Sequence, residues 1–382
     1  MFFLVRPVGL KCQLRCGYCY YKDGHEKIRQ LSTERMSISN IKLLLDGLSS
    51  LEGNHTLCLH GGEPLLIGKE WVAELISLVE AYNRINKEKS SITLTVQTNA
   101  LLVDEEWVAL FKKGHFSVSV SLDGPAKVHN YARAGYHHVN THSEVISAID
   151  ILANNGIRVG CLAVVTSKTL EFGASPFYEY YKSIPLLNGL DVNPYIETGA
   201  TDIELAAKKI YEPDPKHLTQ FVCDLFDLWL FDKDMEKRVD IRMFEQLTSV
   251  ALDFIPTLCN LTQGAACGRT PSILPNGDVY ACDLDIMGLN FFMGSLQSES
   301  IAKICSNTRL QSLQEKIKDG LERKGCTKCL FTSYCGLTCP RHIFSLRDHS
   351  QYCKLIELLV SHVKKRLNDV SLALCDEPIE FN

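Results

Sequence analysis

The sequence predicts an α/β protein with a partial (β/α)6 TIM-like barrel in its N-terminal half and a cysteine-rich domain in its C-terminal third. Short β-rich runs alternate with helical patterns as far as about residue 195. Polar and glycine motifs follow the ends of successive runs, and cysteines are concentrated near the C-terminus. Because strands that alternate with helices form a parallel sheet with right-handed crossovers, six such units indicate an open βα barrel.

The strands are expected where Val, Ile, Leu and Thr predominate: residues 2–5, 56–59, 92–96, 116–122, 158–165 and 190–192. Ser37 is placed to cap a helix whose apolar residues fall on one face. A second helix with a broad apolar face, and with Cys223 as a core thiol, is expected near residues 216–231.

The composition limits the class of protein. A chain of 382 residues exceeds the usual size of one core, so two domains or a barrel with an appendage are expected. The balance of 40 Lys and Arg against 45 Asp and Glu argues against nucleic acid as a partner. No signal peptide is evident, and no apolar run approaches the roughly 20 residues of a membrane span, so a cytoplasmic protein is expected. Its 16 cysteines then indicate metal ligands or core thiols.

Three of these cysteines follow the first strand: Cys12, Cys16 and Cys19, spaced Cys-X3-Cys-X2-Cys. Three thiolates on one loop can bind three irons of a [4Fe–4S] cube, whereas a cube closed by protein takes four. The fourth iron is then open to a small molecule, which indicates a cluster that performs chemistry. The alternatives are a zinc loop or three unrelated thiols, although zinc sites usually close with a distant second pair of ligands.

Polar and glycine motifs follow the next four predicted strands, at residues 60–64, 97–99, 121–125 and Thr166. In βα barrels the active site lies at the carboxyl ends of the strands. Each motif alone is compatible with a turn or a helix cap. Their recurrence at successive strand ends predicts a site along this edge.

A second cysteine array occupies the C-terminal third. Cys267 and Cys282 lie on either side of the turn signal Pro275-Asn276-Gly277-Asp278, so they are expected to lie about a hairpin. The array continues with Cys326, Cys329, Cys335, Cys339 and Cys353. Two structural zinc sites are the alternative interpretation.

The first loop, with Tyr18 before its third cysteine, resembles the radical S-adenosylmethionine family, and the later array resembles the SPASM extension of peptide and protein maturases in that family. The resemblance implies that Cys12, Cys16 and Cys19 hold a cluster whose open iron binds S-adenosylmethionine and which generates a 5′-deoxyadenosyl radical. It also implies a barrel at 1–210, a helical bridge at 211–255, the SPASM domain at 256–360 and a C-terminal helix and tail at 361–382.

Further residues take roles from the same resemblance. The expected cofactor contacts are Tyr18, Gly61, Gly62, Glu63, Gln97, Asn99 and Ser121. Two auxiliary [4Fe–4S] clusters are implied, which makes three clusters in all. The outer one would be bound by Cys326, Cys329, Cys335 and Cys353. The inner one would be bound by Cys267, Cys282 and Cys339, with Cys259 as the candidate fourth ligand. Without Cys259, the inner cluster would have an open iron.

Asp283 follows Cys282 directly, where related maturases have a proposed general base. A carboxylate can accept the proton released when a substrate radical is oxidised. The alternative is a turn aspartate that solvates the hairpin.

The resemblance leaves the reaction open between subclasses. Residues 97–99, residues 121–125 and the Cys282-Asp283 pair resemble anaerobic sulfatase maturases, which oxidise Cys or Ser to formylglycine. Those enzymes usually carry Gln at the position of His60 and Gly at that of Ala100. The motif around His60 looks more like maturases of ribosomally made peptides.

The expected function is therefore an oxidative cross-link, of carbon–carbon cyclophane type, in a precursor peptide. Sulfatase maturation is the alternative, and a non-catalytic Fe–S electron carrier is the third interpretation. The expected partners are a precursor peptide or protein and a flavodoxin- or ferredoxin-type electron donor. Because the barrel begins at Met1, a leader peptide would be recognised by the barrel, the cluster domain or a separate leader-binding protein.

Overall fold

The runs rich in Val, Ile, Leu and Thr are strands in the computed structural model of the chain, as predicted. These six are β1 (Phe2–Val5), β2 (Gly53–Leu59), β3 (Ser90–Thr98), β4 (Ser117–Ser121), β5 (Val159–Val165) and β6 (Leu187–Pro194). Three short strands follow: β7 (Ser272–Ile273), β8 (Asp278–Tyr280) and β9 (Phe292–Ser295). The structure describes residues 1–19, 21, 34–134, 140–195, 209–257, 259, 267–283, 291–335, 339, 350–375 and 378–379.

Helices separate most of these strands. In the first part of the chain they are α1 (Ile38–Leu48), α2 (Lys69–Asn86), α3 (Glu105–Lys113), α4 (Ala126–Ala132), α5 (His142–Asn154), α6 (Ser167–Phe172) and α7 (Ala174–Lys182). The later helices are α8 (Pro215–Leu230), α9 (Arg242–Ala251), α10 (Ile301–Cys305), α11 (Thr308–Arg323) and α12 (Ser350–Cys375). None of the helices within the described ranges is both long and apolar enough to cross a membrane.

The chain divides into two compact units. The first contains Met1–Leu122, Arg133–Gly160 and Cys267–Gln314, and the second contains Asp123–Ala132, Cys161–Ala266 and Glu315–Asn382. These units alternate along the chain, whereas the division expected from the sequence is linear. The linear boundaries at 210, 255 and 360 stay a prediction.

The first unit is organised around β1. Its strands follow the order β4-β3-β2-β1-β7-β8-β9. The pairs from β4 to β7 are parallel, with Val5 opposite both Leu59 of β2 and Ile273 of β7. The predicted hairpin is present, because β7 and β8 pair in antiparallel fashion around Gly277, whose φ is +90°. This hairpin joins the sheet through β1, with its turn at the carboxyl end of β1.

Helix α1 begins as predicted, because the Ser37 side chain accepts a hydrogen bond from Ser39 N. One apolar face of this helix is buried in the first unit: Ile41, Leu44, Leu45 and Leu48. The buried Asn40 on the same helix donates to Pro275 O at 2.8 Å and accepts from Gln297 Nε2 at 2.6 Å. One polar side chain thus ties this helix to the hairpin.

The second unit contains β6 beside β5, and the expected helix at residues 216–231 is α8. Asp214 caps this helix through hydrogen bonds from Lys216 N and His217 N. The apolar face is buried, and Cys223 lies within it as the predicted core thiol. Asp227 on α8 accepts hydrogen bonds from Arg366 on α12, and it contacts His362 at 2.7 Å.

Replacing Asn40 by Ala should lower the free energy of unfolding by about 1–3 kcal/mol, because Pro275 O and Gln297 then lose a buried partner. Urea or thermal unfolding of the holoenzyme measures the loss. Lys42→Ala on the same helix is the matched control, since its side chain is 53% exposed and its removal should change stability by less than about 0.5 kcal/mol. Equal stability of the two variants would contradict the role of Asn40.

Candidate functional site

The three-cysteine loop lies directly after β1, within the first unit. Leu14 N donates to Cys12 Sγ at 3.3 Å, and Asn99 Nδ2 donates to the same sulfur at 3.7 Å. Cys19 N donates to Cys16 O at 3.1 Å, which folds the loop into a turn. Burial raises the pKa of the Cys12 thiol to about 12, and the bond from Leu14 opposes that shift. Donors directed at a sulfur stabilise a thiolate, so this loop fits iron ligation.

The glycine motif at the end of β2 packs against this loop, backbone against backbone. Gly62 N donates to Gly9 O at 3.1 Å, and Glu63 N donates to Lys11 O at 2.8 Å. A Cβ on Gly62 would lie 2.2 Å from Lys11 O, and one on Gly61 would lie 2.6 Å from Gly9 O. Gly61 also has a φ of +116°, where glycine is favoured. Only glycines permit this close approach of the two loops.

Glu63 is fully buried, and its carboxylate is bound by the chain itself. One oxygen accepts from Leu65 N at 3.0 Å and from Thr98 Oγ1 at 2.8 Å, and the other accepts from Asn99 N at 2.8 Å. Burial raises the pKa of Glu63 to about 7, and these three hydrogen bonds oppose the shift. Glu63 therefore joins the carboxyl end of β2 to that of β3. Its predicted contact with a cofactor stays a prediction.

The other predicted cofactor contacts lie along the same edge of the sheet. Gln97 Nε2 donates to Ser121 Oγ at 3.0 Å, which links the ends of β3 and β4. Asn99 Oδ1 accepts from Gln13 Nε2 at 3.3 Å. Tyr18 is buried, with the guanidinium of Arg133 5.5 Å from its ring centre. The first unit thus brings these residues and the cysteine loop to one edge.

Asp283 lies at this edge as well, in a polar cluster with Arg6, Tyr21 and His60. The buried Arg6 donates to one carboxylate oxygen of Asp283 through Nη2, and Tyr21 Oη donates to the other at 2.9 Å. His60 Nδ1 lies 3.1 Å from Tyr21 Oη and 3.9 Å from Asp283. Burial and the positive charge of Arg6 lower the pKa of His60 to about 3, so its ring is neutral at working pH.

The sequence predictions assign no site role to Arg6 or Tyr21. Arg6 directly follows the last residue of β1, and Tyr21 lies two residues after Cys19. A search of all polar residues at strand ends would have found Arg6, whereas Tyr21 lies in the cysteine-loop segment, away from any strand end. Their pairing with Asp283 depends on the alignment of β7 with β1, which has no local sequence signal.

The outer set of predicted auxiliary ligands lies in the second unit. Cys329 N donates to Cys326 O at 3.1 Å. Thr332 Oγ1 lies 2.5 Å from Cys326 O and 2.8 Å from Cys329 O, so its one proton is shared between two carbonyls of this turn. Burial raises the pKa of Cys326, and the neighbouring Cys329 adds to the shift. Cys335 follows on the next short turn, and Cys353 is exposed on α12.

The inner set is divided between the two units. Cys267 and Cys282 flank the hairpin in the first unit, as predicted, whereas Cys339 and the exposed Cys259 belong to the second. No three His, Cys, Asp or Glu side chains within the described ranges are arranged to hold one metal ion. The same holds for Cys12, Cys16 and Cys19, so the ligands of all three clusters stay predictions.

Comparison with protein families agrees with both cysteine regions. Residues 7–170 match the Radical SAM superfamily, and residues 267–330 match the iron–sulfur cluster-binding SPASM domain. The chain belongs to the radical S-adenosylmethionine enzymes that carry a SPASM domain. These domains imply S-adenosylmethionine and [4Fe–4S] clusters. The family and cofactors predicted from the sequence are confirmed.

Relatives of this radical S-adenosylmethionine enzyme match over most of its length. The cysteine-type anaerobic sulfatase-maturating enzyme of Clostridium perfringens strain 13 is 27% identical over 96% of this chain and 97% of its own. The serine-type enzyme of Bacteroides thetaiotaomicron is 25% identical over 90% of this chain and 84% of its own. A solved structure of native anSMEcpe with bound AdoMet and Kp18Cys peptide has a TM-score of 0.80 at 25% identity, covering 98% of this chain and 99% of that one.

These comparisons overturn the predicted function. The expectation of a cross-linking maturase of ribosomally made peptides is wrong, and the sulfatase-maturating alternative fits better. The prediction gave too much weight to Ala100 and His60. Ala100 has a φ of 65°, so it holds the left-handed backbone that a glycine there would adopt easily. Ala in place of Gly costs about 1–2 kcal/mol in this backbone conformation, which concerns backbone energy and not the reaction.

Replacing Gly62 by Ala should weaken binding of S-adenosylmethionine by about ten-fold or more, because the added methyl group forces the two loops apart. Equilibrium dialysis with the reconstituted holoenzyme measures the affinity. Gly189→Ala is the control, since a Cβ there meets nothing closer than 3.5 Å. Unchanged affinity in Gly62→Ala would show that the glycine motif does not support the cofactor.

Replacing Glu63 by Gln should destabilise the holoenzyme by about 1–3 kcal/mol, because either amide orientation places an NH2 group opposite a backbone N–H. Chemical unfolding measures this loss. Glu74→Gln, at a side chain that is 51% exposed, should remain close to wild type. A Glu63→Gln protein as stable as wild type would exclude the carboxylate as the link between β2 and β3.

Proposed function

We propose that this enzyme oxidises a Cys or Ser side chain in a sulfatase-derived peptide to formylglycine. The observation that carries the proposal is the similarity to sulfatase-maturating enzymes across both domains, which covers 96% of this chain and 97% of the relative. A match confined to the barrel would support only radical chemistry. This match extends through the SPASM domain as well.

The cofactor, when bound, supplies the hydrogen-abstracting chemistry, and the chain must bind and orient it. Cys12, Cys16 and Cys19 would hold its cluster. Gly61 and Gly62 would allow it to approach the backbone, and the edge residues Gln97, Asn99 and Ser121 would line its site. The seven cofactor contacts keep this role as part of the proposal, supported by the position of six of them at strand ends and of Tyr18 in the cysteine loop.

A base is also required for this reaction. Oxidation of a CH2–OH side chain to an aldehyde removes two hydrogens, of which one leaves as an atom and the other as a proton and an electron. Asp283 would accept that proton. The proposal is supported by its carboxylate, which lies at the same edge of the sheet and is 17% exposed. The electron would pass to the auxiliary clusters.

The partners follow from the same chemistry. A peptide or protein substrate is expected, since the comparison structure holds a bound peptide. We propose a flavodoxin- or ferredoxin-type donor as the source of electrons for the first cluster. The separate leader-binding protein was tied to the cross-linking function, and it stays a prediction of the sequence, as does the cytoplasmic location.

The reconstituted enzyme should convert one or both of two sulfatase-derived peptides that differ only in Cys or Ser at the modified position. Mass spectrometry should show loss of two hydrogens from the Ser peptide, or exchange of sulfur for oxygen with the same loss from the Cys peptide. A Cys12→Ala, Cys16→Ala, Cys19→Ala protein should convert neither. If the wild-type enzyme cleaves S-adenosylmethionine but leaves both peptides unchanged, the proposed function is wrong.

A further inference from the structure

The hydroxyl of Tyr21 has one proton, and within the described part of the chain it contacts both Asp283 and His60. Its oxygen lies 2.9 Å from Asp283 Oδ2 and 3.1 Å from His60 Nδ1. A hydroxyl donates once, so it cannot donate to both neighbours. The direction of this one proton determines how each neighbour is bound.

The charge of Arg6 decides that direction. Its side chain is fully buried, with the ring of Tyr21 5.0 Å away, and Nη2 donates to Asp283. Among the described residues, Arg6 Nε and Nη1 have no hydrogen-bond partner, and Asp283 is the acid that faces this guanidinium. A buried cation with one acidic neighbour requires that neighbour to be a carboxylate. A hydrogen bond to an ionised acceptor is stronger than one to neutral imidazole, so Tyr21 donates to Asp283.

His60 must then donate to Tyr21. Tyr21 Oη can still accept, and the near atom of His60 is Nδ1. A neutral imidazole carries one N–H, so that proton is on Nδ1 and Nε2 is the acceptor. The lowered pKa of His60 agrees with a neutral ring.

We infer that His60 is a positioning residue, which donates from Nδ1 to Tyr21 and so directs the Tyr21 proton onto Asp283. The carboxylate is then held through both oxygens, by Arg6 on one side and by the Tyr21–His60 pair on the other. The importance of this orientation for catalysis rests on the proposed function, in which Asp283 accepts the substrate proton. The hydrogen-bond order itself does not depend on the substrate.

The test leaves the ion pair intact. Replacement of Arg6 or Asp283 would leave a buried charge without its partner and would destabilise the protein. His60 and Tyr21 are both partly exposed, so changes there disturb the core less. His60→Leu removes the donor, and His60→Asn keeps an N–H close to the position of Nδ1.

The kinetic experiment is a double-mutant cycle on peptide oxidation by the holoenzyme. His60→Leu should lower kcat by about ten-fold with little change in KM, and His60→Asn should recover most of that loss. In a Tyr21→Phe background, His60→Leu should lower kcat by less than about two-fold, because the group through which it acts is gone. Equal losses in both backgrounds, an effect on KM alone, or no recovery with Asn would overturn the inference.

A second measurement needs no substrate. ¹⁵N NMR of the histidine-labelled holoenzyme, assigned with His60→Asn, should show a protonated Nδ1 and an unprotonated Nε2 at His60. The opposite tautomer would overturn the inference even if the sulfatase peptides are converted. Failure to convert either peptide would instead overturn the proposed function, and the tautomer would still decide the order of hydrogen bonds.

Discussion

The parallel pairing of β1 on both of its edges is the constraint on which the site depends. With β2 on one edge and β7 on the other, Val5 is opposite both Leu59 and Ile273. The carboxyl ends of β1 and β2 therefore meet, and the segments that leave them carry the cysteine loop and the glycine motif. Asp283, which follows β8, joins them through its contacts with Arg6 and His60. A shift of one residue in either pairing would turn side chains to the other face of the sheet and separate these groups.

Two buried polar groups then fix the loops that leave the strands. Glu63 accepts three hydrogen bonds and so joins the ends of β2 and β3, and Asn99 in turn contacts the sulfur of Cys12. Arg6 has no exposure and is paired with Asp283. A buried charge without a partner costs free energy. The burial of Glu63 and Arg6 therefore favours the one loop arrangement in which both are paired.

Two residues that differ from the sulfatase-maturase pattern, His60 and Ala100, led the sequence analysis to the wrong function. Ala100 takes the backbone conformation expected of glycine, and His60 contacts the tyrosine beside Asp283. Both substitutions are thus accommodated by the surrounding structure. Similarity over the whole chain sums the residue identities at many positions. The residue types at positions 60 and 100 depend only on the local structure around each of them. The whole-chain comparison therefore fits the sulfatase-maturating alternative better than the cross-linking one.

The sequence by itself determined the six barrel strands, the Ser37 cap, the hairpin about Gly277 and the cysteine loops, because period, turn chemistry and cysteine spacing are local properties. The sequence also predicted that the motifs at residues 60–64, 97–99 and 121–125 follow the ends of strands. Only the tertiary structure decided that the hairpin joins β1, that Glu63 turns to the chain's own donors, and that Asp283 meets Arg6, 277 residues away. These contacts depend on strand pairing between distant segments, for which no nearby residue carries a signal.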